Sequence, residues 1–546
     1  MQCLYSAQAQ ATNFVHPDAL GAKERTKDET LLPPQLPFPP ELLRRVTPQL
    51  STRDLKSLSL TSRLWRIYSL PLLFNTITIR DAKDGLTLMR LAESQDVGKC
   101  VKTLNVMIPR HGRPFASSNI AQFYTSINSL LPNLRTVHWD FHTADVPSDF
   151  LSVLPTIKSI HFIRSSPSVK VLSSPLETLK LDFPAEDIPG ASSFLSQTLT
   201  SSSPYLRQLV IGGRLSVESL WTDQPSIPLF PSLRSMSLSG SAASSPCLLQ
   251  ALVGSQTRIR VLALETLTST TSDFLKTIGY IPTLQEFSWT RHNKSIPLED
   301  VMGFLEMNVH LETLHIGVPL SSTEMANSVW PLLGNMKGLR SLKLVWEGST
   351  IDDDSLTLLS RLTRLEELWL SVGPQDTRRH SWAVDHDAVL SYLGSKLLYL
   401  KSLAFTKDDY PIDSDYPLNQ AVDSYISRRL PIGTSVVDYL TDSEAREYIQ
   451  GSACGSPTSA VAVDAARRYQ ARLAGVAWER WHATKMTLLA ERYARAFPAL
   501  EWLFVGQRSI NARVDNLVAI GVEGDCRDVL GNVVGMRLER GFWKPL

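Results

Sequence analysis

His138, Asp140 and His142, in the run His-Trp-Asp-Phe-His, are residues whose types could hold a metal ion. Their four-residue spacing aligns two imidazoles on a helix, whereas this stretch patterns as a strand running into a loop, so we read them as solvated or half-buried histidines. Asp352–Asp354 is a short acidic run of the kind a helix start favours. Asp408, Asp409, Asp413 and Asp415 lack the spacing and the glycine of a calcium loop. Trp478 and Trp481 sit three apart on a helical pattern, which suits packing better than a ligand cage. The chain contains no phosphate-binding glycine loop, no dinucleotide fingerprint and no nucleophile elbow. Without a convergent acid, base or nucleophile, the sequence reads as a binding protein, with no catalytic residues, metal site or cofactor.

Composition narrows the class further. With 546 residues the chain exceeds what one compact core holds, so it needs several domains or a repeat array. At 43% hydrophobic and 20% charged residues it is globular on average. A net charge of +1 gives no basic field for nucleic acid. The five cysteines lie far apart with no C-x-x-C, which suits free thiols in a reducing compartment, cytoplasmic or nuclear. No apolar run of about 18 residues suggests a membrane span, and the N-terminus does not pattern as a signal peptide.

The elements that would position binding residues come from a repeat. The phrase apolar-x-x-apolar-x-apolar starts at Phe74, Val101, Leu134, Ile157 and Leu176, then at Leu206, Leu233, Ile259, Leu284 and Leu311. It returns at Leu339, Leu365, Leu400 and finally Leu500. From Leu206 to Leu365 the starts are 25 to 28 residues apart, and several copies carry Pro two residues earlier. The fourth and sixth positions share one strand face and point inward. Residues between and just after them face the other way: His138, Asp140, His161, Lys180, Glu265, His315, Lys343, Glu367 and Trp369. Segments between phrases suit helices or turns across the back. A unit of this length buries its core only by stacking on its neighbours. The pattern resembles the leucine-rich-repeat horseshoe, here irregular because the Asn that usually follows the strand is not regularly present. A doubly wound α/β domain is the competing architecture. It accommodates parallel strands but not the near-constant spacing.

Ahead of the repeats, Pro39–Phe74 carries apolar residues at helical spacing: Leu42, Leu43, Val46 and Leu50, then Leu55 and Leu58, then Leu64, Trp65, Ile67, Leu72 and Leu73. Pro48 ends the first helix near Thr47, Ser51 with Asp54 caps a second, and Thr61-Ser62 caps a third. The order Pro-Glu-Leu-Leu, Asp-Leu, Ser-Arg-x-Trp-Arg and Leu-Phe resembles the F-box. That resemblance implies a three-helix module binding a Skp-type adaptor that joins it to a cullin–RING ubiquitin ligase. It also implies that Pro39, Leu42, Leu43, Leu55, Leu58 and Trp65 carry the contact.

The expected organisation is a disordered tail (1–35), the F-box-like module (36–74), the repeats (75–406), an insertion of loop and helices (407–482), and a final repeat with a C-terminal cap (483–546). The long helical pattern 460–497 is expected to break near Gly475, and the insertion around 407–457 to be mobile. The expected fold is α/β, an irregular parallel-sheet solenoid behind a three-helix module. The expected function is substrate recognition for a Skp–cullin–F-box ligase, with Lys343, Glu367 and Trp369 contacting an unknown protein substrate. Trp369 is either an exposed interface anchor or is packed beneath the insertion. The competing functional reading is a leucine-rich-repeat scaffold outside any ligase, with 39–73 serving only as a cap. An enzyme with an unrecognised site comes third. Neither nucleic acid nor membrane is an expected partner.

Overall fold

The computed structural model describes residues 40–519 except 81, 94–95, 109–126, 128, 142–155, 164–174, 184–190, 214–228, 241, 243–245, 254–257, 267, 292–297, 348–349, 373–383, 406–429, 431–432, 454–459, 506–507 and 512–517. The chain divides into two compact units, up to Asp140 and from Phe141.

The first unit opens with three helices: α1 (Pro40–Val46), α2 (Thr52–Thr61) and α3 (Arg63–Leu73). Pro48 ends α1 as its missing amide requires, and a 3-10 turn over Thr47–Gln49 follows. The Ser51 hydroxyl accepts from the Asp54 amide at 3.2 Å, and Ser62 does the same for Trp65 at 3.3 Å, so both expected caps form. Leu43 and Leu55 form the buried centre of this small module. Strand β1 (Thr76–Ile79) follows, then α4 (Ala82–Glu93), α5 (Asp96–Cys100), β2 (Thr103–Ile108) and β3 (Thr136–Phe141). β1 and β2 pair in parallel with Thr76 opposite Thr103.

The second unit is an irregular parallel-sheet solenoid of leucine-rich-repeat type. Its strands are β4 (Ser159–Ile163), β5 (Thr178–Phe183), β6 (Gln208–Gly213), β7 (Ser235–Leu238), β8 (Val261–Thr266) and β9 (Glu286–Arg291). They continue as β10 (Thr313–Leu320), β11 (Ser341–Trp346), β12 (Glu367–Val372), β13 (Ser402–Phe405) and β14 (Trp502–Val505). Each pairs in parallel with the next. β15 (Arg508–Asn511) and β16 (Val518–Ala519) then add antiparallel to the end of the sheet. Of the expected C-terminal cap, residues 520–546 lie outside the described residues.

One bonding pattern sets the register. The carbonyl of each phrase's second residue accepts two amides from the next phrase: Glu312 O takes Arg340 N at 2.8 Å and Ser341 N at 3.0 Å, and Arg340 O takes Glu366 N at 2.7 Å and Glu367 N at 2.9 Å. Leu314, Leu342, Leu368, Leu403 and Leu503 therefore align across five strands, all buried. Helices cover this side. They include α6 (Ala191–Ser202), α7 (Pro246–Val253), α8 (Ser269–Ile278), α9 (Leu298–Met307), α10 (Trp330–Asn335), α11 (Asp353–Leu359) and α12 (His386–Leu393). The Trp330 ring on α10 lies 6.1 Å from the Trp346 ring of β11. Buried Asn308 joins two repeats, accepting from Ile281 N at 2.9 Å and donating to Gly279 O at 3.0 Å and Phe304 O at 2.8 Å. Asp352 caps α11 by accepting from Ser355 N at 2.7 Å, the role expected of that acidic run.

After Phe405 come α13 (Asp442–Ala453) and α14 (Ala460–Ala496). Thr441 and Glu444 form a capping box at the start of α13, and the helix runs through Gly451. Arg480 of α14 donates to both Glu444 oxygens, at 2.5 and 3.2 Å, and that bond leads Thr441 in holding the Glu444 carboxyl down at about 2. The acidic loop 407–415 lies outside the described residues.

α14 corrects two expectations. It does not break at Gly475, and it crosses the 482/483 boundary drawn between insertion and final repeat. Leu473, Ala477, Trp478 and Trp481 are buried on either side of the glycine, so packing carries the helix through. Its far end is tied to α12 by Tyr493 with His386 at 2.8 Å and by the Arg492–Asp387 ion pair. A Cβ added at Gly475 meets nothing within 4 Å. Gly475→Ala should therefore stabilise the protein by about 0.5–1 kcal/mol in denaturant unfolding, the helix-propensity difference alone; a loss of stability would place a kink there.

Candidate interaction surfaces

In the three-helix module, five large apolar side chains remain exposed: Leu42 (46%), Val46 (48%), Leu60 (76%), Ile67 (58%) and Leu72. Leu42 and Val46 are four apart on α1 and share one side of it. Leu58, Leu64, Trp65 and Tyr68 are half-buried. Of the residues singled out by the sequence, Leu43 and Leu55 sit inside the module's own core, while Leu42, Leu58 and Trp65 present surface. Pro39 lies outside the described residues. Val46, Leu60, Ile67 and Leu72 complete the exposed set. Their apolar character was legible in the sequence, but helical spacing did not tell which of the adjacent Leu42 and Leu43 points out.

In the second unit, the sheet face away from the helices changes along the array. His161, Lys180, Val210 and Ser237, at the middle of β4 to β7, are half-exposed. From β9 on the same row is covered except at Lys343, which is half-buried: Ser288, His315, Trp369, Ala404 and Phe504 are all buried. The register places Lys343 between His315 and Trp369, and Glu367 beside Ser341. The Lys343 ammonium lies 4.3 Å from the centre of the Trp369 ring. Ser341 Oγ donates to Glu367 Oε2 at 2.5 Å. Ser288 Oγ and His315 Nδ1 are 3.4 Å apart.

These surroundings shift the pKa values of Lys343, Glu286 and His315. Burial lowers the Lys343 pKa, partly offset by the carboxylates of Glu367 and Glu286. Burial raises Glu286, with Lys343 opposing. His315 is held well below its usual 6.5, first by burial and then by the Lys343 charge, so its ring is neutral. The arrangement is a half-buried charge cluster in which Lys343, Glu367 and Glu286 keep some surface beside the buried Trp369 and His315. Among the described residues no group of three or more His, Cys, Asp and Glu side chains is arranged to hold a metal ion.

Trp369 departs from the exposed-anchor expectation. It is 8% exposed and packs in a cluster with Val345, Ala404 and Phe504, its ring stacked 5.7 Å from Trp502. A strand's alternation of faces tells which side a residue occupies and not what covers that side. Glu265 has no described side chain, and His142 lies outside the described residues. Trp478 and Trp481 are buried, Trp478 stacking on His482 at 4.9 Å, as packing required.

No protein-family model matches the chain, and neither does any curated protein sequence. Among solved structures, the chain is similar to a leucine-rich-repeat protein of Leptospira interrogans, at 11% identity over 60% of this chain and 90% of that one, with a TM-score of 0.22. It is also similar to the mouse RP105/MD-1 complex, at 14% identity over 62% of this chain and 69% of that one, with a TM-score of 0.25. At these scores the fold assignment rests on the repeat and its backbone ladder. Among the described residues no helix is long and apolar enough to cross a membrane.

Trp369→Ala should cost about 3–5 kcal/mol in denaturant unfolding, as for other large-to-small core changes; a change below about 0.5 kcal/mol, the range of surface sites, would contradict its place in the core. His315 gives a pH dependence. Unfolded, it takes up a proton below about 6.5, and folded it resists, so stability falls as pH drops through that value by up to about 1.4 kcal/mol per unit. Between about pH 7 and about pH 5, His315→Gln should lose less stability than wild type; identical slopes would mean that the ring is solvated.

Proposed function

We propose that this chain is a substrate-recognition subunit of a Skp–cullin–F-box ubiquitin ligase. The three-helix module would dock a Skp-type adaptor and the repeat array a protein substrate. The observation that supports the reading is the apolar surface left open on α1 to α3. Leu42, Val46, Leu60, Ile67 and Leu72 stay exposed, although Leu43 and Leu55 already fill the module's interior. A helical segment that served only to cap the repeats would have turned such residues inward. Ubiquitin transfer would belong to the other subunits of the ligase, in keeping with the absence of a catalytic arrangement in the sequence.

The substrate side rests on the sheet. With Trp369 buried, Lys343 and Glu367 are the members of the proposed contact that retain surface. The half-exposed row on β4 to β7 adds His161, Lys180 and Val210 as proposed contact positions.

The test is adaptor binding by the full-length protein. Leu42→Ala with Val46→Ala is the informative pair, because both residues are on the surface, whereas truncating Leu43 would damage the module's core. Each side chain has about half its surface left to bury, worth about 1 kcal/mol apiece. The pair should weaken adaptor binding by on the order of tenfold to a hundredfold with melting temperature unchanged. Absence of adaptor binding by wild-type protein at about micromolar concentration would leave a leucine-rich-repeat scaffold outside any ligase as the function.

A further inference from the structure

The second residue of each repeat phrase stands at the strand-entry edge, and the backbone ladder sets these residues side by side on neighbouring strands. Arg207 N bonds Glu177 O at 2.8 Å, Arg234 N bonds Arg207 O at 2.8 Å, Arg260 N bonds Arg234 O at 2.7 Å, and Gln285 N bonds Arg260 O at 2.8 Å. Over much of this row the charges alternate and pair. Glu177 takes Lys158 at 2.5 Å and Arg207 at 3.4 Å, and Glu366 takes Arg340 at 3.0 Å and Lys401 at 2.5 Å. In the second unit the row breaks that rule where Arg207, Arg234 and Arg260 follow one another on β6, β7 and β8; in the first unit Lys102 and Arg135 are a shorter like-charged pair, Arg135 N bonding Lys102 O at 2.9 Å. Arg234 and Arg260 are exposed, with no acidic partner among the described residues, and Arg207 shares its carboxylate with the closer Lys158.

Neighbouring strands lie about 4.8 Å apart, so three arginines in file repel one another, and like charges at such spacing destabilise a sheet. Among the described residues no carboxylate pairs with Arg234 or Arg260 to offset this. Alternation at the same position four repeats later shows that the scaffold accommodates acids there. A guanidinium offers paired donors that match a carboxylate or phosphate. We propose that the strand-entry edge of β6 to β8 is a docking strip for a short anionic segment of a partner protein. The strip spans two strand spacings, about 10 Å, the reach of about three extended residues. Glu177 stands at one end, and Glu312 stands beyond neutral Gln285 at the other, so a long polyanion would meet repulsion at both. Together with the chain's net charge of +1, this favours an acidic peptide over nucleic acid. Tyr205, 56% exposed and two residues before Arg207, supplies an aromatic flank of the kind found at protein interfaces.

This inference goes beyond adaptor docking and does not depend on it. The experiment uses full-length protein and fluorescence anisotropy with labelled peptides of one sequence in three forms: glutamate-rich, phosphoserine-containing, and neutral with glutamine. Binding of either anionic form, with the neutral form silent, supports the strip, and the comparison of the two tells which anion it prefers. Arg234→Gln with Arg260→Gln should weaken the anionic peptide by about tenfold, with melting temperature unchanged or raised because repulsion is relieved. Arg340→Gln, at the same edge but paired with Glu366, should leave peptide binding unchanged. Equal binding by the double variant, silence of both anionic peptides, or tighter binding of a single-stranded oligonucleotide than of either peptide would overturn the proposal. Adaptor binding measured on the same variants should not change, so failure here is distinguishable from failure of the ligase reading.

Discussion

A carbonyl that accepts two amides at each strand entry is the interaction on which the repeat array depends. Glu312 O, Arg340 O and Glu366 O each do this for the next repeat, and the pattern recurs from Lys158 to Lys401. The two bonds leave no room for a one-residue slip, which would turn every inward leucine outward. They also sort each phrase into fixed stations. The first, fourth and sixth residues are buried toward the helices, the second stands at the edge, and the fifth lies on the opposite sheet face. A core position, an edge charge and a face residue are thus neighbours in sequence but belong to separate surfaces.

That separation explains how one array carries unlike environments. The edge row is solvated, so its ion pairs Arg340–Glu366–Lys401 contribute little to stability, yet they show which charges the edge accepts. The face row passes from half-exposed on β4 to β7 to buried from β9 on, except at half-buried Lys343 on β11. There it holds Lys343 against Trp369 and near two carboxylates, where each charge depends on the others for solvation. Removing one partner from such a cluster leaves an uncompensated buried charge, so these residues act together.

Much of the fold could be read from residue order. Phrase starts from Leu206 to Leu365 predicted the strands, Pro48 and Ser51 predicted the break and cap between the first two helices, and Asp352 was placed as a cap. What escaped has physical causes. Gly475 is a weak helix former by propensity, but the tertiary contacts of Leu473, Ala477 and Trp478 outweigh about 1 kcal/mol. Trp369 was placed on the correct strand, while its burial depends on Ala404 and Phe504, which arrive from strands over 30 residues away. Leu42 and Leu43 are indistinguishable by type, and only the packing of three short helices decides that one is out and the other in. The arginine row needed the ladder, because phrases 27 residues apart show no charge pattern until they are laid side by side.

The proposed function assigns 40–73 to an adaptor and the strand-entry edge to a different partner. Amide hydrogen exchange on the full-length protein, with and without a Skp-type adaptor, tests it most directly. The account predicts slowed exchange confined to 40–73, with the strand-entry amides of β6 to β8 unaffected. Protection in the repeat strands with none in 40–73 would contradict it.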